Sequence, residues 1–63
     1  GITLREQEVL ALLAAGKSHK EIADKLGVSP NTVKTQVASL YQKLEVQRRT
    51  QAVQKARELA LIP

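Results

Sequence analysis

The sequence lacks several residue types, and each absence excludes a class of site. It contains no cysteine, so disulfides and thiolate metal sites are excluded. It has a single histidine, His19, which cannot build a metal site alone, and a single aromatic residue, Tyr41. No apolar run approaches the roughly 20 residues that a membrane span needs. The first residues also lack the charged-then-apolar layout of a secretory signal. We expect no metal, cofactor or membrane insertion, and a cytoplasmic location.

The charge is unevenly distributed along the 63 residues, which suffice for one domain at most. Bases and acids balance over residues 1–26, so the whole net charge of +4 lies in residues 27–63. No acid occurs between Asp24 and Glu45. Such one-sided charge favours a polyanionic partner, with nucleic acid first and an anionic membrane surface second. A domain that is basic without any such partner is the alternative.

Apolar residues recur with helical rather than strand spacing. They predict an all-α, four-helix bundle-like domain over residues 1–63, with helices at about 4–15, 19–26, 30–44 and 48–60. The predicted inward stripes are Val9, Leu10 and Leu13; Ile22, Ala23 and Leu26; Val33, Val37, Leu40 and Leu44; and Ala52, Val53, Ala56, Leu59 and Ala60. Residues 61–63 form a tail that packs or frays.

Residues at the helix ends support these boundaries. Thr3 with Glu6, and Ser18 with Glu21, have the capping-box spacing, in which two side chains each satisfy the other residue's free N–H. Ser29 is the predicted N-cap of the third helix, with Pro30 as its first residue. Gly16 and Gly27 are expected to end the first and second helices in the left-handed conformation.

The link between the second and third helices is only Gly27, Val28 and Ser29. A link this short predicts a helix-turn-helix. Ala23 is small enough for close helix approach, and Val33 can anchor the third helix from inside. The motif then points Asn31, Thr35, Ala38 and Gln42 outward, with Lys34 and Ser39 beside them.

The outward side of the third helix carries the predicted base contacts. Lys34 can donate to guanine O6 and N7, and Asn31 can pair with adenine or a phosphate. The Thr35 methyl and Ala38 suit a thymine methyl. A solvated helix face with no ligand is the alternative interpretation.

Helix N-termini also attract phosphate, because their N–H groups are unpaired and carry partial positive charge. His19 is expected to be an exposed residue at a helix start rather than a catalytic or metal-binding one. The predicted phosphate contacts near these ends and along the third helix are Ser18, Lys20, Ser29, Thr32, Lys43 and Arg48.

Glu6 projects onto the apolar side of the first helix, where an unpaired carboxylate is costly. Arg49 faces inward on the fourth helix. We expect the two to pair and to tie the first helix to the fourth. The alternative is that Glu6 only completes its cap and reaches water.

Three segments together resemble the LuxR/FixJ-type, or GerE-like, C-terminal DNA-binding domain of bacterial transcriptional regulators. They are ITLREQEVL at 2–10, SHKEIADKLGVSPNTVK at 18–34 and KLEVQRRTQAV at 43–53. The segment QVASLYQKLEVQRRTQAVQKAREL further resembles the large ATP-dependent regulators similar to the maltose activator. The chain is therefore expected to be the C-terminal part of a longer regulator.

The resemblance implies sequence-specific binding to double-stranded DNA with the third helix in the major groove. It places Lys34, Thr35 and Ala38 at base-reading positions, and Thr32, Ser18 and Lys20 at phosphate contacts. It also implies a homodimer through the fourth helix, and RNA polymerase is a further candidate partner. The dimer surface predicted there comprises Gln51, Gln54, Lys55 and Glu58.

Three positions depart from the family pattern. Gln36 stands where relatives often have histidine, and we expect it to make a phosphate contact or an inter-helix hydrogen bond. Glu45 replaces a usual glycine, so either a left-handed glutamate costs ~1 kcal/mol or the helix ends differently. Ala38 is often longer and polar in relatives, so base reading there is expected to be weak or only apolar.

Two other classes of function compete with DNA binding. A protein-interaction module would use the stripe of Ala52, Ala56 and Ala60 on the fourth helix, although internal packing of that stripe is favoured. An enzyme is disfavoured, because the sequence has no paired-carboxylate cleft, no nucleophile with a base and no phosphate loop.

Overall fold

The computed structural model describes residues 1–63 as four helices without strands. They are α1 (Leu4–Ala14), α2 (His19–Leu26), α3 (Pro30–Leu44) and α4 (Arg49–Glu58). The predicted all-α class and all four helices are confirmed. The fourth helix begins and ends inside the predicted 48–60. None of the helices combines the length and apolar character needed to cross a membrane.

Side chains cap the first three helices as predicted. The Thr3 hydroxyl accepts from the Glu6 N–H, while the Glu6 carboxylate accepts from the Thr3 N–H at 2.9 Å. Ser18 and Glu21 form the same box at the start of α2. Helix α4 differs, because Arg48 at its N-cap makes no side-chain capping bond. Each capped start satisfies backbone donors that the helix leaves free.

A left-handed residue follows each of the four helices, directly after α2 and α3 and one residue later after α1 and α4. In each case the next residue donates its N–H back to a carbonyl five positions earlier, as in Lys17 to Leu12 and Val46 to Tyr41. Glycine takes the left-handed place after α1 and α2, with φ of 81° and 71°. Glu45 and Ala60 take it after α3 and α4, each with φ 57°. The backbone is therefore strained at two positions, and glycine would remove the strain at each of them.

Glycine at these two positions should stabilise the fold. A left-handed side chain costs about 1–2 kcal/mol, and the extra freedom of glycine in the unfolded chain returns about 0.4–1 kcal/mol of that gain. We expect Glu45→Gly and Ala60→Gly each to raise the free energy of unfolding by about 0.5–1 kcal/mol in urea denaturation.

Ala15 provides the control for this prediction, since it follows α1 with an ordinary φ of −79°. Ala15→Gly should lower stability by about 0.4–1 kcal/mol, because only the unfolded-state entropy changes. Equal effects at all three positions would contradict the strain at Glu45 and Ala60.

One apolar core holds the helices together, and no polar side chain is buried in it. The buried residues are Val9, Leu10, Leu13, Ile22, Ala23, Val33, Val37, Leu40, Leu44, Ala52, Ala56 and Ile62. Every helix contributes to this set, since none can bury its apolar stripe alone. The tail packs rather than frays, because Ile62 is buried in the same core.

The predicted inner face of the fourth helix is wrong at its C-terminal end. The helix stops at Glu58, so the left-handed turn carries Leu59 and Ala60 out to solvent, and Leu59 is 54% exposed. Ala52 and Ala56 are fully buried. Two of the three alanines in the stripe, Ala52 and Ala56, are therefore internal packing, as favoured, and are not available to a partner protein, whereas Ala60 is exposed.

Candidate nucleic-acid interface

The turn between α2 and α3 contains the residues from which the helix-turn-helix was predicted. Gly27 ends α2 with φ 71°, which a side-chain-bearing residue rarely adopts. Ala23 is buried in α2, and α2 packs against α3 more extensively than any other two helices pack together. Val33 is fully buried one turn into α3, and Val28 packs against the core from the link. The turn and these apolar anchors fix the orientation of α3 relative to α2.

The core side of α3 determines which side chains point away. Val33, Val37, Leu40 and Leu44 are the buried residues of this helix. At about 100° per residue, the opposite side falls at the predicted outward positions. Asn31, Lys34, Thr35, Ala38 and Gln42 are all exposed.

One hydrogen bond limits the chemistry of this face. The Thr35 hydroxyl donates to the backbone carbonyl of Asn31 at 3.1 Å. Its proton is thus committed within the helix, and Thr35 offers a ligand its methyl group and oxygen lone pairs. The Lys34 ammonium and Asn31 amide have no partner in the chain. The outward face therefore presents donors at Asn31 and Lys34 and short contact surfaces at Thr35 and Ala38.

Several predicted phosphate contacts stand at helix starts. Ser18 Oγ and Ser29 Oγ accept the backbone N–H groups of Glu21 and Thr32, at 3.1 and 3.2 Å. Ser29 Oγ also lies 2.9 Å from Thr32 Oγ1. Lys20 and Arg48 are exposed at the starts of α2 and α4 and form no ion pair. The structure thus brings Ser29 and Thr32 together at the start of α3.

Gln36 makes no inter-helix hydrogen bond, so that expectation is wrong. Its Oε1 is buried without a partner, and the side chain is half-buried beside the core stripe. Helical periodicity places it on the same flank of α3 as Thr32 and Lys43. The alternative expectation, a phosphate contact, stays a prediction.

Glu6 pairs with Lys43 and not with Arg49, so the expected Glu6–Arg49 pair is wrong. Lys43 Nζ lies 2.9 Å from Glu6 Oε1 and donates to the Gly1 carbonyl at 3.4 Å. The pKa of Glu6 is held below its ordinary value mainly by the hydrogen bond from the Thr3 backbone N–H and next by the hydrogen bond from Lys43. The tie runs from α1 to α3, and the capping role of Glu6 is confirmed.

The directions of α1 and α4 explain why Glu6 does not meet Arg49. Gln7 near the start of α1 donates to the Leu61 carbonyl beyond the end of α4. Arg49 at the start of α4 donates to the Lys17 carbonyl beyond the end of α1. The two helices are therefore antiparallel, which separates Arg49 from Glu6. Helical periodicity alone assigns a side to each residue but not the end of the neighbouring helix that it meets.

The Glu6 carboxylate should make stability depend on pH, through its bond from the Thr3 N–H and then through its pair with Lys43. Because the pKa of Glu6 is lower in the folded chain, its carboxylate adds stability above the ordinary glutamate pKa. That contribution is lost as the pH falls through the folded-state pKa. Glu6→Gln should therefore lower the melting temperature at neutral pH and reduce its decrease in acid.

Glu21 is the matched control, because a capping bond to Ser18 lowers its pKa without a lysine hydrogen bond. Glu21→Gln should remove only the acid dependence that the Glu21 capping bond contributes, and it should leave the contribution of Glu6 unchanged. If Glu6→Gln melts with the same pH profile as the unaltered chain, the Glu6 carboxylate does not contribute as described.

The predicted dimer residues form one side of α4. Gln51, Gln54 and Glu58 are exposed, and Lys55 is half-buried. Together with Glu45 and Val46 from the α3–α4 link, they line a shallow depression. The depression is formed by α4 and the link and does not include the outward residues of α3.

The sequence matches the family model described as GerE, bacterial regulatory proteins of the luxR family, over residues 1–56. It is 51% identical over 51 residues to YhjB of Escherichia coli K12, which is named as an HTH-type transcriptional regulator. It is 47% identical over 58 residues to the transcriptional regulator MalT of Serratia proteamaculans. These alignments cover 81% and 92% of the chain, but only 26% and 6% of the two relatives.

Solved structures give the same result for the fold. The response regulator ChrA of a heme-sensing two-component system superposes with a TM-score of 0.95 at 42% identity, over 98% of this chain and 31% of ChrA. The transcription factor GerE superposes with a TM-score of 0.92 at 34% identity, over 98% of this chain and 92% of GerE. VqmA of Vibrio cholera, solved with a ligand and DNA, gives 0.86 at 34% identity, over 97% of this chain and 27% of VqmA.

The sequence match, the identities and the superpositions agree with the segments that carried the resemblance. The family comprises DNA-binding transcriptional regulators and not enzymes. The chain therefore belongs to the luxR family of bacterial regulatory proteins, as one of its helix-turn-helix domains.

Proposed function

We propose that this domain binds double-stranded DNA in a sequence-specific manner, with α3 in the major groove. The observation that carries the proposal is the outward side of α3, which is exposed, free of acids and anchored from behind by buried aliphatic residues. A helix fits the major groove, where base edges present distinct patterns of donors and acceptors. The nearest acids in sequence, Asp24 and Glu45, lie outside this helix.

Four side chains on that face are the proposed base readers. Lys34 donates to guanine O6 and N7, and Asn31 pairs with adenine or a nearby phosphate. Thr35 and Ala38 contact thymine methyl groups, and Ala38 contributes only an apolar surface. The commitment of the Thr35 hydroxyl proton to Asn31 agrees with an apolar role for Thr35.

The polar residues around that face are proposed to contact phosphates on both sides of the groove. These residues are Ser18, Lys20, Ser29, Thr32, Gln36, Lys43 and Arg48. Lys20 and Arg48 are exposed and unpaired, so they can approach phosphate without breaking an existing contact. Lys43 would have to be shared with Glu6. We expect Lys20 and Arg48 to contribute more than Lys43.

Two domains are proposed to dimerise on DNA through Gln51, Gln54, Lys55 and Glu58 of α4. A two-fold pair then reads two half-sites about 34 Å apart, which is one helical turn. Relatives named as transcriptional regulators support a regulatory role, and a cytoplasmic location is part of the proposal. RNA polymerase is proposed as a further partner of the whole regulator.

Selection of bound duplexes from a random pool, repeated at two salt concentrations, tests this function. The sequence-independent phosphate term falls steeply with salt. We expect one motif to be enriched at both concentrations, and more sharply at the higher one. Binding without enrichment of any motif would leave a basic domain that recognises only the phosphate backbone.

A further inference from the structure

Glu45 occupies a place that is unfavourable to it in two ways. Its φ of 57° is a conformation in which a side chain collides with its own backbone. It also follows the last residue of α3, where the helix dipole is negative and a carboxylate is repelled. A residue kept in a strained conformation is a reason to look for a function.

No contact of the Glu45 side chain within the chain offsets these costs. The only ion pair in the structure joins Glu6 to Lys43, and the Glu45 side chain is exposed without a hydrogen bond. Lys55 is half-buried in the same depression and also has no anionic partner. A carboxylate and an ammonium thus line one depression without pairing to each other.

The charges of this depression suit a second copy of the same surface. A two-fold interface is isologous, so a residue pairs with its own counterpart or with a different residue twice. Glu45 and Glu58 supply the negative charges and Lys55 the positive one, so opposite charges can meet across the axis. Val46 contributes an apolar surface to the same depression.

The groove between α1 and α4 does not meet this requirement. Leu13, Ala14 and Val53 form its apolar floor, and Arg49 and Arg57 are its only charged residues. Two copies meeting there would bring arginine against arginine without a carboxylate. Charge complementarity therefore favours the depression at the α3–α4 link over the α1–α4 groove.

We infer that Glu45 selects the partner in the dimer by pairing with Lys55 of a second copy across the two-fold axis. This inference rests on the proposed dimerisation, and it identifies the charge pair that sets the relative orientation of the two copies. Each dimer then contains two such pairs. Strain is retained at Glu45 because glycine at this position would remove the carboxylate.

Charge reversal tests the pairing on a duplex that carries two selected half-sites. Glu45→Lys alone and Lys55→Glu alone should each reduce the cooperativity of binding by about tenfold, because two attractions become two repulsions. A mixture of the two variants should restore cooperativity, since both pairs form in the mixed dimer. The affinity for a single half-site should shift only with the altered net charge, slightly upward for Glu45→Lys and slightly downward for Lys55→Glu.

Glycine substitutions separate the pairing from fold stability. Glu45→Gly should raise the melting temperature yet lower cooperativity, whereas Ala60→Gly should raise the melting temperature and leave cooperativity unchanged. Ala60 has the same φ and lies outside the depression.

The outcomes distinguish this inference from the function on which it rests. Wild-type cooperativity that neither charge reversal reduces, or a mixture no better than its components, would overturn the pairing and leave the dimer intact. A wild-type chain that binds two half-sites without cooperativity would overturn both. Failure to bind a single half-site would overturn DNA recognition itself.

Discussion

Replacing Lys34 with alanine is expected to lower affinity for the selected duplex by about 5- to 150-fold, the factor that corresponds to 1–3 kcal/mol for a specific base contact. Lys34 is exposed on the outward side of α3 and has no partner in the chain. Its loss should cost less on random duplex, because only the contact to a particular base disappears. Sequence preference at one position of the site should therefore relax.

Lys20 at the start of α2 provides the comparison. Lys20→Ala should weaken binding to selected and random duplexes alike, and it should lower the salt slope by about one unit. Titrations of both variants on both duplexes at several salt concentrations measure these quantities. If Lys34→Ala loses the same affinity on both duplexes, then Lys34 contacts phosphate and does not read a base.

Replacing Leu40 with alanine should have the largest effect on stability. Leu40 is fully buried among residues from other helices. Truncating a buried leucine costs about 2–5 kcal/mol, through lost burial and the cavity that remains. Because small domains are stable by only about 5–15 kcal/mol in total, we expect a fall in melting temperature on the order of 10–30 °C.

Leu4 is the matched control, since it is a helical leucine that is 80% exposed. Leu4→Ala should change stability by no more than about 0.5 kcal/mol. Thermal unfolding followed by circular dichroism measures both variants. Equal losses for the two substitutions would contradict the assignment of Leu40 to the core and, with it, the anchoring of α3.

Local features were predictable from sequence because neighbouring residues determine them. The capping boxes at Thr3 and Ser18 and the glycine end of α2 depend on side chains within a few positions. The outward side of α3 followed from the apolar positions of the same helix. The left-handed Glu45 was one of two outcomes left open by sequence, and the structure selects it.

Contacts between helices were less predictable. Lys43, and not Arg49, meets Glu6 because α4 runs antiparallel to α1, while the end of α3 lies near the start of α1. Sequence periodicity contains no information on these relative directions. The exposure of Leu59 and Ala60 was missed because the fourth helix ends early without a glycine to mark its end.

Binding of the selected duplex can be followed residue by residue with amide chemical shifts in a two-dimensional NMR titration. If α3 lies in the major groove, the largest changes should fall on residues 30–38, including the Asn31 side-chain amide. Smaller changes are expected at the starts of α2 and α4. Largest changes on the exposed side of α1, with residues 31, 34 and 35 unaffected, would contradict recognition of DNA by α3.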